Sequence, residues 1–325
     1  MTVVTTPVLS RSDVIDSLDP DVLRSDLRRA FEAYSQNREI PARRVGSELP
    51  TAGSAMVLVS GLAAGIPAYS VKVHAKFPEA SPSIRGLVLL FDAEDGALLS
   101  TMDSTYLTAA RTGMTGALAT DVLARDDATT MAVVGAGTQG EFGLRHLARS
   151  RSLEGVSVYD ASLERAVAFA ERMTNELGVS VDVHETVQEA VADRRIVLTA
   201  TWSDEPFLDA SVLRLGTHVT ALGSDGPGKR ELSADLIEHA WFVCDDRELV
   251  RESGAIANAD LDGGAIDAEL GAVVVRERPG RTTDEEITVF APVGLAFQDL
   301  VVHGRSIAQH GKRTGKRPST SSGED

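Results

Sequence analysis

The stretch ALGSDGPGKREL, residues 221–232, sets Asp225 and Lys229 in a glycine- and proline-rich turn. It directly follows an apolar run, THVTAL, that reads as a strand. An aspartate in such a turn is either a solvated surface acid or a carboxylate placed to take and return protons. A turn that follows a strand of a parallel sheet lies at the sheet's carboxyl edge, where doubly wound folds bind ligands. That position makes Asp225 the candidate general base.

A second chemical signal is Gly135-x-Gly137-x-x-Gly140 in MAVVGAGTQGEFGLRHLA, directly after a strand and at the opening of a helix. In a dinucleotide loop the first glycine allows the tight turn and the second lets backbone approach the pyrophosphate. The third permits close packing, and the helix N-terminus favours the negative charge. The next strand, GVSVYD, ends in Asp160, about 20 residues on, where a ribose-binding acid belongs. Such an acid accepts a hydrogen bond from a ribose 2′-hydroxyl and repels a 2′-phosphate, which favours NAD over NADP. As a bland alternative, Asp160 simply caps a strand end.

The third signal is Arg111 in STYLTAARTGMTGALATDVLA, on the helical stripe of Leu107, Met114, Leu118 and Val122. A buried arginine without a partner is costly. Arg111 therefore either snorkels to water near the helix start or faces a cleft and binds a carboxylate bidentately.

These residues need two kinds of scaffold. After a helical start (SRSDVIDSLDPDVLRSDLRRAFEAYSQ), five short β-rich segments follow from about residue 43: RVGSEL, AMVLVSGL, YSVKVHAKF, IRGLVLLFD and ALLSTMD. Their turn signals predict an antiparallel or mixed sheet. From residue 130, MAVVGAG, GVSVYD, RRIVLTAT, THVTALG and HAWFVCD alternate with helical segments, the rhythm of a doubly wound parallel sheet. PVGLAFQDLVVHGRSIAQ reads as a last helix returning to the first domain. The fold class is thus α/β, a Rossmann-type doubly wound parallel sheet plus an α+β domain built from both chain ends. The boundaries are 1–112 with 291–310 for the first domain, 113–290 for the nucleotide domain, and 311–325 for a disordered tail.

Composition narrows the partners. The 325 residues carry a net charge of -16, against nucleic-acid or anionic-membrane binding. No run is apolar enough for a membrane helix, and the N-terminus does not read as a secretory signal. The single cysteine, Cys244, fits a reducing cytoplasm. Seven histidines show no HxH or HxxxH spacing, so no metal site is expected. A G-x-S-x-G elbow is absent, which argues against a serine hydrolase.

LTAARTGMTGALA with VVGAGTQG, then ALGSDGPGKREL, then EEITVFAPVGLAFQDL resemble, in that order, three signatures of the ornithine cyclodeaminase/mu-crystallin family. The resemblance implies a homodimer, with the α+β domain as its substrate and dimerisation domain and substrate held beside the nicotinamide of NAD. Arg43, Lys72 and Arg111 stand where the family grips an amino acid's α-carboxylate, with Arg44 a competing choice for Arg43. Ser83, Thr112, Thr138, Gln139, Thr201 and Lys229 match cofactor-binding positions, and Val293 matches a pocket-lining one. On their own, Lys72 has the bland alternative of a strand lysine reaching water and Lys229 that of an exposed turn lysine, while Val293 reads equally as core. The short FPEASPSIRG loop and Pro292 depart from the family pattern and leave the recognised side chain open.

The chemistry implied is transient Cα oxidation of a basic amino acid such as ornithine, with Asp225 moving the amine's proton. Closure to a cyclic imino acid such as proline then loses ammonia, leaving NAD unchanged overall. The alternative is an NAD(P)-dependent amino-acid dehydrogenase or an imino-acid or ketimine reductase. A non-enzymatic, crystallin-like cofactor-binding protein is a third reading. The substrate in the first two cases is a small amino or imino acid.

Overall fold

In the computed structural model the described residues are 6–36, 43–51, 54–63, 65–77, 80 and 82–314, without the side chains of residues 43 and 308–314. The chain divides into two units, Met1–Arg111 with Leu295–Asp325, and Thr112–Gly294.

The first unit opens with β1 (Val8–Leu9), α1 (Arg11–Ser17) and α2 (Pro20–Gln36). Ser10 starts α1 with a capping box to Asp13, which satisfies two helix-end donors at once. Five strands then run antiparallel in sequence order: β2 (Arg43–Glu48), β3 (Ala55–Gly61), β4 (Ala68–Lys76), β5 (Ile84–Asp92) and β6 (Leu98–Asp103). Because β1 joins β6 in parallel, the sheet is mixed. Its central strand β4 is inverted in polarity. Ser70, Lys72, His74 and Lys76 point to the buried face, while Val73 is exposed on the other. Alternation along a strand dictates that if the polar set is inside, the apolar set must be outside.

α3 (Ser104–Leu123) carries the boundary, Arg111 closing one unit and Thr112 opening the next. Leu107, Met114 and Leu118 are buried as their stripe suggests, but so are Ala109, Ala110, Ala117 and Ala119. The helix is thus apolar nearly all round rather than striped, as fully packed helices are.

The second unit runs β7 (Thr130–Val134), α4 (Thr138–Ser150), β8 (Gly155–Tyr159), α5 (Leu163–Leu177), β9 (Val181–Val183), α6 (Val187–Val191) and β10 (Ile196–Thr199). It continues with β11 (His218–Ala221), α7 (Ala234–His239), β12 (Trp241–Cys244), α8 (Arg247–Ser253), α9 (Ala255–Asn258), β13 (Ala268–Glu269), α10 (Leu270–Val274) and β14 (Thr288–Phe290). The strand order is β13-β12-β14-β11-β10-β7-β8-β9, parallel throughout. This is the Rossmann-type doubly wound sheet expected. Every residue of β10 and β11 is buried, the continuous apolar character of strands covered on both faces. The core gathers Val133, Val158, Phe169, Met173, Ile196 and Leu198. The chain runs from β7 through β8 to β9 at one edge and then crosses back to β10 on the other side of β7, so the topological switch point lies between β7 and β10.

The last helix, α11 (Ala296–Thr314), belongs to the first unit and packs on β3, β4, β5, α1 and α2. It starts four residues later than PVGLAFQDL suggested, because β14 and an irregular link occupy Thr288–Leu295. Asp245 holds that link, accepting hydrogen bonds from the backbone of Val293 (3.0 Å) and Gly294 (2.6 Å). The 311–325 segment expected to be disordered is helical as far as Thr314, and residues 315–325 lie outside the described residues. Phe297 anchors α11 by an edge-on contact with Phe31, ring centroids 5.1 Å apart. Among the described residues no helix is long and apolar enough to cross a membrane.

Candidate functional site

In the first unit, the inverted face of β4 meets the first turn of α11. Lys72 Nζ lies 3.2 and 3.3 Å from the two carboxylate oxygens of Asp299. Arg111 Nε approaches Asp299 Oδ1 at 3.3 Å, and Arg111 Nη1 donates to Gln298 Oε1 at 2.7 Å. Lys72, Asp299 and Gln298 are all buried. Two cations share one anion, which leaves the group one positive charge in excess. Burial lowers the Lys72 ammonium to about 8, although Asp299 pulls it back up. Burial alone would raise Asp299, but Lys72 and Arg111 hold it below the usual carboxylate range. His74, on the same face, is pushed down to about 3 by burial and by Lys72, Lys76 and Arg44, so it is neutral at ordinary pH. Gln298 Nε2 is buried with no hydrogen-bond partner, a donor available to a ligand.

Lys72 is thus buried and Arg111 largely so, with both ion-paired to Asp299. Arg43 opens β2, but its side chain lies outside the described residues; Arg44 is half-buried on the same strand. Ser83 precedes β5, its carbonyl accepting from Phe77 N at 2.7 Å. Asp299 and Gln298 were missed from sequence. The signal was present: an acid in the apolar run GLAFQDLVV needs a buried partner by the same reasoning that singled out Arg111.

In the second unit, the glycine loop divides its labour as a dinucleotide site requires. Gly135 has φ +105°, and a Cβ there would fall 2.5 Å from Ala200 O. A Cβ on Gly140 would fall 2.2 Å from Gly135 O, whereas one on Gly137 meets nothing within 4 Å. Turn, packing and open approach are thus assigned to the first, third and second glycines in that order. Gly137 caps α4 without any side-chain hydrogen bond, and Thr138 beside it is exposed. Gln139 Oε1 is buried without a partner. Asp160 reaches back to this loop, its Oδ2 accepting from Ala136 N at 2.9 Å. The residues fit a dinucleotide.

The carboxyl ends of β10 and β11 are fastened together by Glu231, which sequence reasoning had not singled out. Its Oε1 accepts from Thr201 N (2.7 Å) and Thr201 Oγ1 (2.8 Å). Its Oε2 accepts from Thr199 Oγ1 (2.7 Å) and Gly223 N (2.8 Å). Burial raises this carboxyl, against the four bonds that favour its charged form. Beyond Gly223, Asp225 Oδ1 receives Lys229 Nζ at 2.7 Å, and the same ammonium sits 3.9 Å from the centre of the Trp202 ring. Asn258 shapes the turn between them, donating to the carbonyls of Gly226 and Lys229 and accepting from Gly228 N. Lys229 therefore has two partners in this structure, the acid and the indole face. Thr112 is half-buried in α3. Val293 is buried where a Cβ on Gly254 would touch it, at 2.8 Å. Among the described residues no His, Cys, Asp and Glu side chains group as a metal site.

The profile of the ornithine cyclodeaminase/mu-crystallin family matches residues 5–309. The chain belongs to this family. It is 31% identical to an alanine dehydrogenase of Archaeoglobus fulgidus over 303 residues, 91% of this chain and 92% of that protein. Among solved structures, Δ1-pyrroline-2-carboxylate reductase of Thermococcus litoralis, in complex with NADH and L-proline, superposes with a TM-score of 0.89 at 29% identity. That match covers 95% of this chain and 98% of the other. An archaeal alanine dehydrogenase dimer with bound NAD gives a TM-score of 0.86 at 28% identity, covering 97% and 98%.

Proposed function

We propose that this family member is an NAD-dependent oxidoreductase interconverting a small α-amino acid and its imino acid, as an amino-acid dehydrogenase or an imino-acid reductase. The observation that carries the reading is the buried Lys72–Asp299–Arg111 group. Its single excess positive charge is matched to one carboxylate, in a chain whose other unit holds a dinucleotide loop. The similar proteins support the redox direction: their names describe dehydrogenation of alanine and reduction of pyrroline-2-carboxylate. Cyclodeamination, the reaction first expected, shares the Cα oxidation and differs in releasing ammonia with no net change in NAD.

Lys72 and Arg111 hold the substrate carboxylate with charge-assisted hydrogen bonds, and Gln298 Nε2 offers a further donor. Fixing that end orients Cα, and orientation of this kind supplies several kcal/mol of barrier reduction. A bound dinucleotide would supply hydride transfer to and from Cα. Asp225 takes a proton from the substrate ammonium in the oxidative direction and gives one to the imine nitrogen in the reductive one. Lys229 holds that carboxylate in place from 2.7 Å. Gly135, Gly137, Thr138, Gln139, Gly140 and Asp160 would hold the dinucleotide, with Thr201 at the end of the adjoining strand.

A homodimer through the outer face of the first sheet accompanies this reading. Val45, Leu58, Val73 and Leu87 lie in register across β2 to β5. Val45 is 62% and Leu87 48% exposed, a row of large apolar side chains that a second copy would cover.

The test is a substrate panel with the full chain. Pyrroline-2-carboxylate and related cyclic imines are offered with NADH; proline, alanine and ornithine are offered with NAD, following both NADH and ammonia. NADH consumption with an imine, or NADH formation with an amino acid, supports the proposal. Ammonia without accumulating NADH points instead to cyclodeamination, and nucleotide binding with no turnover to a binding protein. Asp225→Asn is expected to lower turnover about 100-fold with NADH affinity unchanged.

A further inference from the structure

The acid that favours NAD is not bare. Asp160 closes β8 with its side chain 8% exposed and its Oδ2 on Ala136 N of the glycine loop. Its Oδ1 accepts from Ser162 N at 2.8 Å and from Arg165 twice, Nε at 3.0 Å and Nη2 at 2.6 Å. Arg165 is the only Lys or Arg between Arg151 and Arg172, and it is the guanidinium that pairs with Asp160. The neighbouring arginines are engaged elsewhere: Arg172 with Glu141, and Arg145 with Glu176 and Glu141.

An isolated carboxylate beside the adenosine ribose discriminates against a 2′-phosphate by repulsion. Paired with a guanidinium, the carboxylate keeps its charge but the pair as a whole is neutral, which offsets that repulsion. Arg165 has five N–H groups, of which two are used on Asp160, and its side chain is 63% exposed. A guanidinium so placed is matched to phosphate geometry and can be shared between a carboxylate and an incoming dianion.

We propose that Arg165 is the binding site for the 2′-phosphate of NADP, so that the protein binds both nucleotides. On arrival of the phosphate, Arg165 turns part or all of its hydrogen bonding from Asp160 to the phosphate oxygens. With NAD, Asp160 Oδ2 keeps its bond to the loop and receives the ribose hydroxyl. This inference rests on the dinucleotide reading of the glycine loop, and NADH binding by the unaltered chain tests that reading separately.

The experiment is fluorescence titration of the full chain and of Arg165→Ala with NADH and NADPH, with competition by adenosine 2′,5′-bisphosphate and by ADP. In the variant Asp160 keeps its bonds to Ala136 N and Ser162 N, and a melting curve measures what the loss of its guanidinium partner costs. The expected result is an NADPH affinity about tenfold weaker in Arg165→Ala, equivalent to about 1.4 kcal/mol. NADH affinity should move less than about twofold, and the bisphosphate should lose its advantage over ADP. Added salt should weaken NADPH binding more than NADH binding in the unaltered chain, and equally in the variant. Equal weakening of both nucleotides would mean that Arg165 only orients Asp160, and would overturn the proposal. So would an unaltered chain that binds NADH but not NADPH.

Discussion

Replacing Asp299 with asparagine removes the anion from a buried group of two cations. Lys72 Nζ and Arg111 Nε lie 3.2 and 3.3 Å from Asp299 Oδ1, and the Lys72 and Asp299 side chains are 2% and 3% exposed, so water cannot substitute. At an effective dielectric of about 20, each contact carries roughly 5 kcal/mol of gross attraction. The net loss on breaking a buried pair from one side is about 3–5 kcal/mol. Part of the strain is relieved by deprotonating Lys72, already lowered to about 8 by burial and held there by Asp299. Without the aspartate it falls further, and the lysine is neutral in the folded variant at pH 7. A lysine whose folded pKa lies below its unfolded value binds its proton more tightly in the unfolded chain. Stability therefore rises with pH between the two values, by about 1.4 kcal/mol per unit. The variant is on that slope from pH 7, whereas the unaltered protein joins it only above about 8. The stability gap should therefore shrink by about 1.4 kcal/mol between pH 7 and pH 8 and stay level beyond. Urea denaturation at a series of pH values measures the gap, and NADH titration of the folded variant checks that the second unit is intact. A loss below about 1 kcal/mol, or a gap that widens with pH, refutes Asp299 as the counter-ion.

Two further outcomes follow from the same geometry. Because Lys72 loses its charge above about 8, kcat/KM for a carboxylate substrate should fall there by up to tenfold per pH unit, and Lys72→Met should abolish that limb while weakening substrate binding. A profile flat to pH 9.5 in the unaltered enzyme would remove Lys72 from carboxylate binding. Leu87→Glu, on the exposed apolar row of the first sheet, should halve the molar mass seen by light scattering with NADH affinity retained. An unchanged mass places the interface elsewhere.

Much of the architecture was legible because its causes are local. GAGTQG specifies its own turn: the left-handed φ of Gly135 and the close contact of Gly140 with Gly135 O arise among residues at most five apart. The parallel rhythm of the second unit was equally readable, since β7, β8, β10, β11 and β12 are apolar runs set off by turn signals. β9, β13 and β14 were not, being two or three residues long and defined by the neighbours they pair with. Pairing, not propensity, makes such segments strands. The late start of α11 was hidden for a related reason, since the irregular Val293–Gly294 link depends on Asp245, some fifty positions upstream.

The site divides along the same line. By itself the sequence determined the residue types that can act: the glycine loop, an acid after β8, an acidic turn after β11, and an arginine in an apolar helix. Only the tertiary structure decided their charge states and partners. It turned β4 so that Lys72 faces inward and supplied Asp299 from 227 positions away. Local sequence limits what the backbone can do, whereas charge compensation depends on which distant segments the fold brings within about 3 Å, the range at which a buried charge is balanced.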